Sequence, residues 1–553
     1  MLSKVTDVVI IGSNLGGSLL ANILAKNNIS VIMVDPSPHP KFSIGEATTP
    51  DTSCKFKIIS KKYDIPEINN LSNFNDLSSY VGSQHGIKKS FSFLYHREGS
   101  VHCPNESHQF PTPDNGVLGP DCHFFRQDTD AYIYNSAIKY GAKSLQAIVK
   151  DVIFKDDSVT VICDGVEISC SYVYDASGRN SILANKLQLR EPDDHLETDS
   201  RGIFNHMVDV EHYKGAHSKW PFTFKNLYGL KSPLPQSTLH HVFKGGWMWI
   251  IPFDNNDKTL NPLCSVGLML DRKKYPVNNN ISPEEEFYSF VNRFPSIKKQ
   301  LEFAKPVRNW TRLDKVQYSS KSITGHRYCL SANSAGFVDP LYSSGIGLTL
   351  SVVDLLAEQL LESFKSRDFN VEKFKNINTF FNDSLTHYDE MVSNSYFSFN
   401  DYRLWDAWFR VWVTGNFLGS LSNIQLLFSY ASTKDKKHLY KTSSSPYRSV
   451  LGIQLKEQNR FFAECYRLME ELKSNNSSKE AAINEILNMI KSHELIPSYF
   501  HWSNKNVRCM PDFGALGTIK LYLWAMMQNN NHNVKRLFSY NPLNSFILPY
   551  AKK

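Results

Sequence analysis

The sequence predicts a mixed α/β (α+β) chain, with a nucleotide-binding βαβ unit first, an inserted β-sheet in the middle and a helical end. Three observations carry this. The chain opens on a strand, glycine turn, helix and second strand; its middle alternates Val- and Ile-rich runs with turn residues; and beyond residue 390 aromatic residues recur at helical spacing.

Residues 6–11 (TDVVII) form the first run and 12–17 (GSNLGG) the turn, and Leu19, Leu20, Ile23 and Leu24 mark one helix face. That order aims a helix N-terminus at a pyrophosphate. Residues 31–34 form a second apolar run ending at Asp35, where an acidic side chain takes ribose hydroxyls. Gly12, Gly16 and Gly17 supply the turn, whereas Asn14 stands at the fingerprint's middle glycine and must tilt away or contact the phosphate. One such loop is evident, so reducing power is expected from a separate protein.

Residues 149–154, 159–163 and those from Val166 form a meander around the Asp164-Gly165 turn, and VYDASGR at 173–179 returns to the first unit. Arg126 and Asp130 open a helix that runs to Tyr140 and stops at Gly141. The Arg126 cation meets either a cofactor phosphate or a carboxylate, and both readings stay open.

The densest segment is 336–347, GFVDPLYSSGIG. Leu348, Val352, Leu355, Leu356, Leu360 and Phe364 follow at helical spacing, which puts Ser344 and Gly345 at a helix N-terminus with unpaired N–H groups. Such an end attracts anions, although a plain Ser-Ser-Gly cap would look the same. Gly336, Gly345 and Gly347 are expected to leave the ordinary φ range.

With these, GEATTP at 45–50, FRQDTDAY at 125–132 and GGWMWIIP at 245–252 resemble the FAD-dependent halogenases over residues 1–390. The specific pieces are the Trp247/Trp249 pair and Pro340-x-x-Ser343-x-Gly345; the glycine loop and DASGR are shared with flavin monooxygenases. While the helical spacing further on gives a helical domain over 391–553, the resemblance implies a glutathione-reductase/hydroxylase-like FAD domain within 1–390 and a substrate-facing sheet from about 80–120 and 200–320. It also implies a chemistry. Reduced FAD (FADH2) and O2 oxidise chloride, and the hypochlorous acid travels to a lysine beside the aromatic substrate.

In HGIKKSFSFLYH at 85–96 the spacing to Phe93 favours Lys88, with Lys89 second. Trp247 and Trp249 become walls separating substrate from flavin; their plainer reading is two same-face aromatics of a core strand. Carried over, chloride lies at Ser344 and Gly345, and the flavin at Gly12, Asn14, Gly16, Gly17, Asp35, Glu46, Ala47, Arg126, Asn333, Asp339 and Gly347. Tyr342 replaces a glutamate of the tryptophan halogenases, which points to a phenolic, polyketide-type substrate. Asn333 replaces a flavin-contacting aspartate, so weak FAD retention is expected. A flavin-dependent aromatic hydroxylase and a silent flavin-binding protein are the alternatives.

Composition agrees with a soluble enzyme. The chain has 553 residues and a net charge of +7 without a long basic run, which argues against nucleic acid. A strand begins within a few residues of Met1, so a cytoplasmic location with nine reduced cysteines is expected. His102, Cys103, His108, Cys122 and His123 lie in a Pro-rich stretch at spacings that suit no metal site. Trp405, Trp408, Phe409, Trp412 and Phe417 follow helical spacing, and residues 480–492 form another amphipathic pattern. Residues 404–430 look too polar, and too interrupted by Gly415 and Gly419, to span a membrane. The expected partners are a small phenol, free or tethered to an acyl carrier protein, and a flavin reductase.

Overall fold

The computed structural model describes residues 2–112, 118–213, 230–440, 451–511 and 515–528, with positions 534 and 537 beyond them. The Asn run at 529–531 and most of the last 25 residues lie outside this set.

A six-stranded sheet forms the nucleotide-binding layer. Its order is Thr324–Gly325, Tyr328–Leu330, Tyr172–Asp175, Val8–Ile11, Val31–Asp35 and Lys143–Gln146, parallel except for the first pair. The four central strands are fully buried Val-, Ile- and Tyr-rich runs, as a parallel sheet covered on both faces requires. Helices Leu15–Lys26, Arg126–Lys139 and Gly345–Ser366 pack together beside it. The meander of Val149–Phe154, Val159–Cys163 and Val166–Cys170 turns at Gly165 (φ +74°) and pairs with Leu2–Val5.

The largest sheet runs Lys305–Pro306, Ser200–Val208, Cys264–Asp271, Gly246–Pro252, Ser237–Phe243, Ser90–His96 and Ser107–Pro111, with Thr311–Leu313 also on Ser200–Val208. Gly86–Lys88 pairs with Asp121–His123 as a short ribbon. His108, Cys122 and His123 are therefore strand residues, and the expected Pro-rich insertion is partly sheet. Ser107–Pro111 (SHQFP) lacks polar/apolar alternation and Asp121–His123 is only three residues long, so neither gives a strand signal by itself and tertiary pairing decides both.

Helices dominate from residue 345 onward. Residue 390 falls inside the continuous helix Lys375–Ser398. Helix Tyr402–Thr433 is also continuous and runs through Gly415 and Gly419, contrary to the expected interruption. A Cβ on Gly415 would lie 2.7 Å from the Leu451 carbonyl oxygen, so this glycine admits a crossing backbone rather than breaking the helix. Among the described residues no helix is long and apolar enough to cross a membrane. Buried Trp405, Phe409 and Trp412 pack on Phe91, Phe93 and Phe110 of the large sheet, while Trp408 turns to Phe462 and donates to the Met391 carbonyl at 3.0 Å.

Candidate active site

A cavity of about 290 Å³ lies where the nucleotide layer meets the large sheet. Its outer walls are Gly45, Glu46, Ala47, Arg126, Gly178 and Arg179; one end is Asn333 with Ser343 to Ile346; the other is Thr238, His240, Trp247 and Trp249. Eight of the expected residues, drawn from four distant stretches, thus share one space.

The helix-end wall is built by an unusual turn. Ser343 takes φ +52°, a left-handed conformation that costs a serine on the order of 1 kcal/mol. Gly336 is extended, and Gly345 and Gly347 are helical, so none of the three glycines leaves the ordinary range. Space dictates two of them instead. A Cβ on Gly336 would meet the Tyr318 carbonyl at 3.0 Å, and one on Gly347 would meet Asp51 and Thr52 at 3.2 Å. Helix Gly345–Ser366 starts from Ser344 with no side-chain cap, leaving its first N–H groups for an acceptor. That is a cradle for an anion.

The GEAT segment is tied down on the opposite side. Thr48 exchanges hydrogen bonds with Cys122, and Phe124 N–H donates to the Glu46 carbonyl at 2.6 Å. Arg126 grips Asp130 bidentately at 2.8 and 2.9 Å and donates to the Ile44 and Gly45 carbonyls at 2.7 and 3.0 Å. Of the two readings for this cation, the carboxylate is the partner present, and the guanidinium edge still lines the cavity. Glu46 meets His206, Oε1 to Nε2 at 2.6 Å with both side chains buried. No sequence signal announces His206, because its strand neighbours are ordinary sheet residues.

Trp247 and Trp249 stand on Gly246–Pro252 with ring centroids 5.8 Å apart. The Trp249 indole N–H donates to Ser265 at 3.1 Å, and its ring lies across Gly267, whose added Cβ would fall 2.0 Å from a ring atom. Close by, His240 stacks on Phe93 at 4.3 Å, and burial with the nearby Lys88 charge pushes its pKa down to about 3.

Lys88 lies one layer behind this wall. Its side chain is fully buried, its Nζ donates to the Thr48 carbonyl at 2.5 Å and sits 3.3 Å from the Phe91 ring centre, and Phe91 stacks on His240. Burial holds its amine well below the usual lysine range, with Asp121 pulling the other way. Lys89 is half-buried and uses its backbone N–H on the Gln236 carbonyl at 2.7 Å.

The remaining expected residues stand off the cavity wall. Asn14 tilts away, caps the first helix through Gly17 N–H at 3.2 Å and donates to the Ala176 carbonyl. Gly16 packs against Thr349, with an added Cβ only 2.9 Å from it. Gly12 takes φ +95° under the Ala176 carbonyl. Asp35 accepts from Ser13 N–H at 2.7 Å and pairs with Lys41. Asp339 accepts from Ser200 at 2.8 Å and Tyr396 at 3.0 Å, and burial pushes its pKa up to about 6. Gly347 faces helix Pro50–Tyr63.

The chain matches no protein-family model. It is 39% identical to the tetracycline 7-halogenase of Kitasatospora aureofaciens over 480 residues, covering 86% of this chain and 85% of that protein. The chain belongs to the flavin-dependent halogenases. This halogenase is also 33% identical over 558 residues to monodechloroaminopyrrolnitrin halogenase PrnC of Pseudomonas fluorescens, covering 98% and 95%. Its fold superposes on the crystal structure of halogenase PltM in complex with phloroglucinol and FAD, with a TM-score of 0.85, 31% identity and 91% and 99% coverage. It is accordingly an enzyme using FAD and a halide. The cavity suits that cofactor: a Cβ on Gly45 would press on Arg126 at 3.3 Å, so the wall stays open for a flat ring, and the uncapped helix end supplies donors beside it.

Proposed function

We propose that this halogenase chlorinates an electron-rich phenol, with Lys88 as the residue that delivers chlorine to the ring. The placement of Lys88 carries the reading: a fully buried amine, separated from the flavin cavity by Phe91 and His240. Bound FAD, reduced by a separate flavin reductase, supplies the oxidising power of O2. The N–H groups of Ser344 and Gly345 hold chloride, and Glu46, Ala47, Arg126 and Asn333 hold the flavin rings. Gly12, Asn14, Gly16, Gly17 and Asp35 serve its nucleotide end, with Asp339 and Gly347 bracing the helix mouth.

Trp247 and Trp249 keep the phenol off the flavin, which suppresses direct hydroxylation. Hypochlorous acid crosses the wall, and the Lys88 amine either hydrogen-bonds it or exchanges N–H for N–Cl with loss of water. Lowered basicity favours the exchange, because only the neutral amine has a lone pair with which to attack chlorine. Lys89, less buried, is the second choice.

Tyr342 supports the phenol. It is buried, hydrogen-bonds Ser395 at 2.7 Å and stacks on Trp412, so no carboxylate occupies that position to activate a poor ring; a phenol activates its own. The phloroglucinol carried by PltM is a compound of this kind. We place the reaction in the cytoplasm, on a substrate either free or tethered to an acyl carrier protein.

The test is mass spectrometry of protein, FAD, a flavin reductase with NADH, O2, chloride and an acylated trihydroxybenzene. The expected product carries a chlorine isotope pattern that disappears without chloride; a hydroxylated product would make the protein a monooxygenase. Lys88→Ala should retain FAD binding and release peroxide while losing the chlorinated product, and a normal yield from that variant would refute the lysine's role.

A further inference from the structure

Next to Ser344 lies a second, smaller cavity of about 20 Å³ whose walls do not include Gly345, enough for one water-sized particle or a single halide ion. Ser344 lines both cavities. The other walls that matter are Thr52, Tyr388, Trp412, Asn416 and Ser420, every one able to donate a hydrogen bond.

Two of these donors are buried and meet no hydrogen-bond partner among the described residues: the indole Nε1 of Trp412 and Oγ of Ser420. An indole N–H can only donate, so it needs an acceptor, and leaving it unpaired costs about 1–3 kcal/mol. Tyr342 stacks on the Trp412 ring at 4.8 Å and 15°, and Phe91 and Phe110 meet it edge-on at 5.4 Å; these neighbours offer it no carbonyl or carboxylate.

The cavity's charge also favours an anion. Its carboxylate, Asp51, is neutralised by Lys55 at 2.7 Å and takes the Asn423 amide at 2.6 Å. The positive end of helix Gly345–Ser366 begins at the shared wall residue.

We infer that this chamber is a second halide-binding site, a holding position that shares Ser344 with the flavin-side cradle. The inference rests on the halogenase reading for its ligand and on the unpartnered donors for its place.

The experiment is a bromide soak of crystals of the full chain, with anomalous diffraction at the bromine edge. A bromine peak within hydrogen-bonding distance of Trp412 Nε1 and Ser420 Oγ is the expected result. Density there without anomalous signal is a water and overturns the proposal, as does bromine confined to the Ser344–Gly345 cradle. Trp412→Phe should lose the chamber peak, keep the cradle peak and raise the halide KM about tenfold, the effect of one charge-assisted hydrogen bond, at unchanged FAD affinity. An unchanged chamber peak in that variant overturns the donor assignment. The wild-type map decides by itself if the variant does not fold. A chamber peak in a protein that forms no halide-dependent product would count against the halogenase reading and not against the site.

Discussion

Lys88 and Lys89 are neighbours with different fates, and a single residue of strand register separates them. Lys88 pairs opposite Asp121 and turns inward beneath Phe91, while Lys89 follows the ribbon's end. Burial lowers the Lys88 pKa and Asp121 raises it, so the neutral amine grows as pH climbs through a value well below that of free lysine. The halogenation rate should therefore rise with pH along that limb. Asp121→Asn removes the group that raises the pKa and should move the limb to lower pH; a pH–rate profile checks this, and an unmoved limb would detach the amine from the rate. Trp247→Ala belongs to the same scale: on the proposed reading it opens a gap between phenol and flavin, and hydroxylated product should appear beside a reduced chlorinated yield.

At the scale of elements, the tryptophan wall depends on the strand beside it. Trp249 pairs opposite Gly267 on Cys264–Asp271, and its ring fills the space a side chain would take. Gly267→Ala should push the indole off its Ser265 hydrogen bond and cost about 1–3 kcal/mol of stability, a typical overpacking penalty, seen in thermal unfolding and a shifted tryptophan emission. Helix Tyr402–Thr433 shows the same dependence from the other side. Its glycines look like breakers by propensity, yet Gly415 sits where the Leu451 backbone crosses and Gly419 lines the small chamber. Gly415→Ala improves helix propensity but drives a Cβ into that carbonyl, and unfolding measurements should register a net loss.

For the whole molecule, the helical region and the large sheet are locked by a buried polar cluster. Arg410 is fully buried, pairs with Asp406 at 2.8 Å and donates to the Trp502 carbonyl at 2.6 Å, while His108 reaches Asp406 at 3.0 Å from the sheet. The 502–511 stretch adds to the sheet edge, with Gln109 N–H on the Arg508 carbonyl at 2.8 Å and Met510 N–H on the Gln109 carbonyl at 2.9 Å. Arg410→Met strands the Asp406 charge and should cost about 3–5 kcal/mol, measured by denaturant unfolding. Because Trp405, Phe409 and Trp412 of the same helix touch Phe91 and Phe93, loosening this lock should also lower the chlorinated yield.

Elements built on short-range pattern were legible from residues alone. The first βαβ unit, the meander turning at Gly165, the helix following Ser344 and the helix Lys479–Lys491 all lie where periodicity and turn chemistry put them, because a period of 2.0 or 3.6 and a cap are properties of adjacent residues. The family, too, was legible, since its motifs are contiguous strings. What only the tertiary structure decided concerns how distant stretches meet: that Arg126 holds the Gly45 carbonyl, that Lys88 and not Lys89 is buried, that His206 meets Glu46, that Ser343 rather than any glycine of 336–347 takes the left-handed conformation, and that Trp412 and Ser420 share a chamber with Ser344. Burial and pairing are set by which surfaces the fold brings together, and that choice is made by the summed packing of the whole core rather than by the residues beside each position.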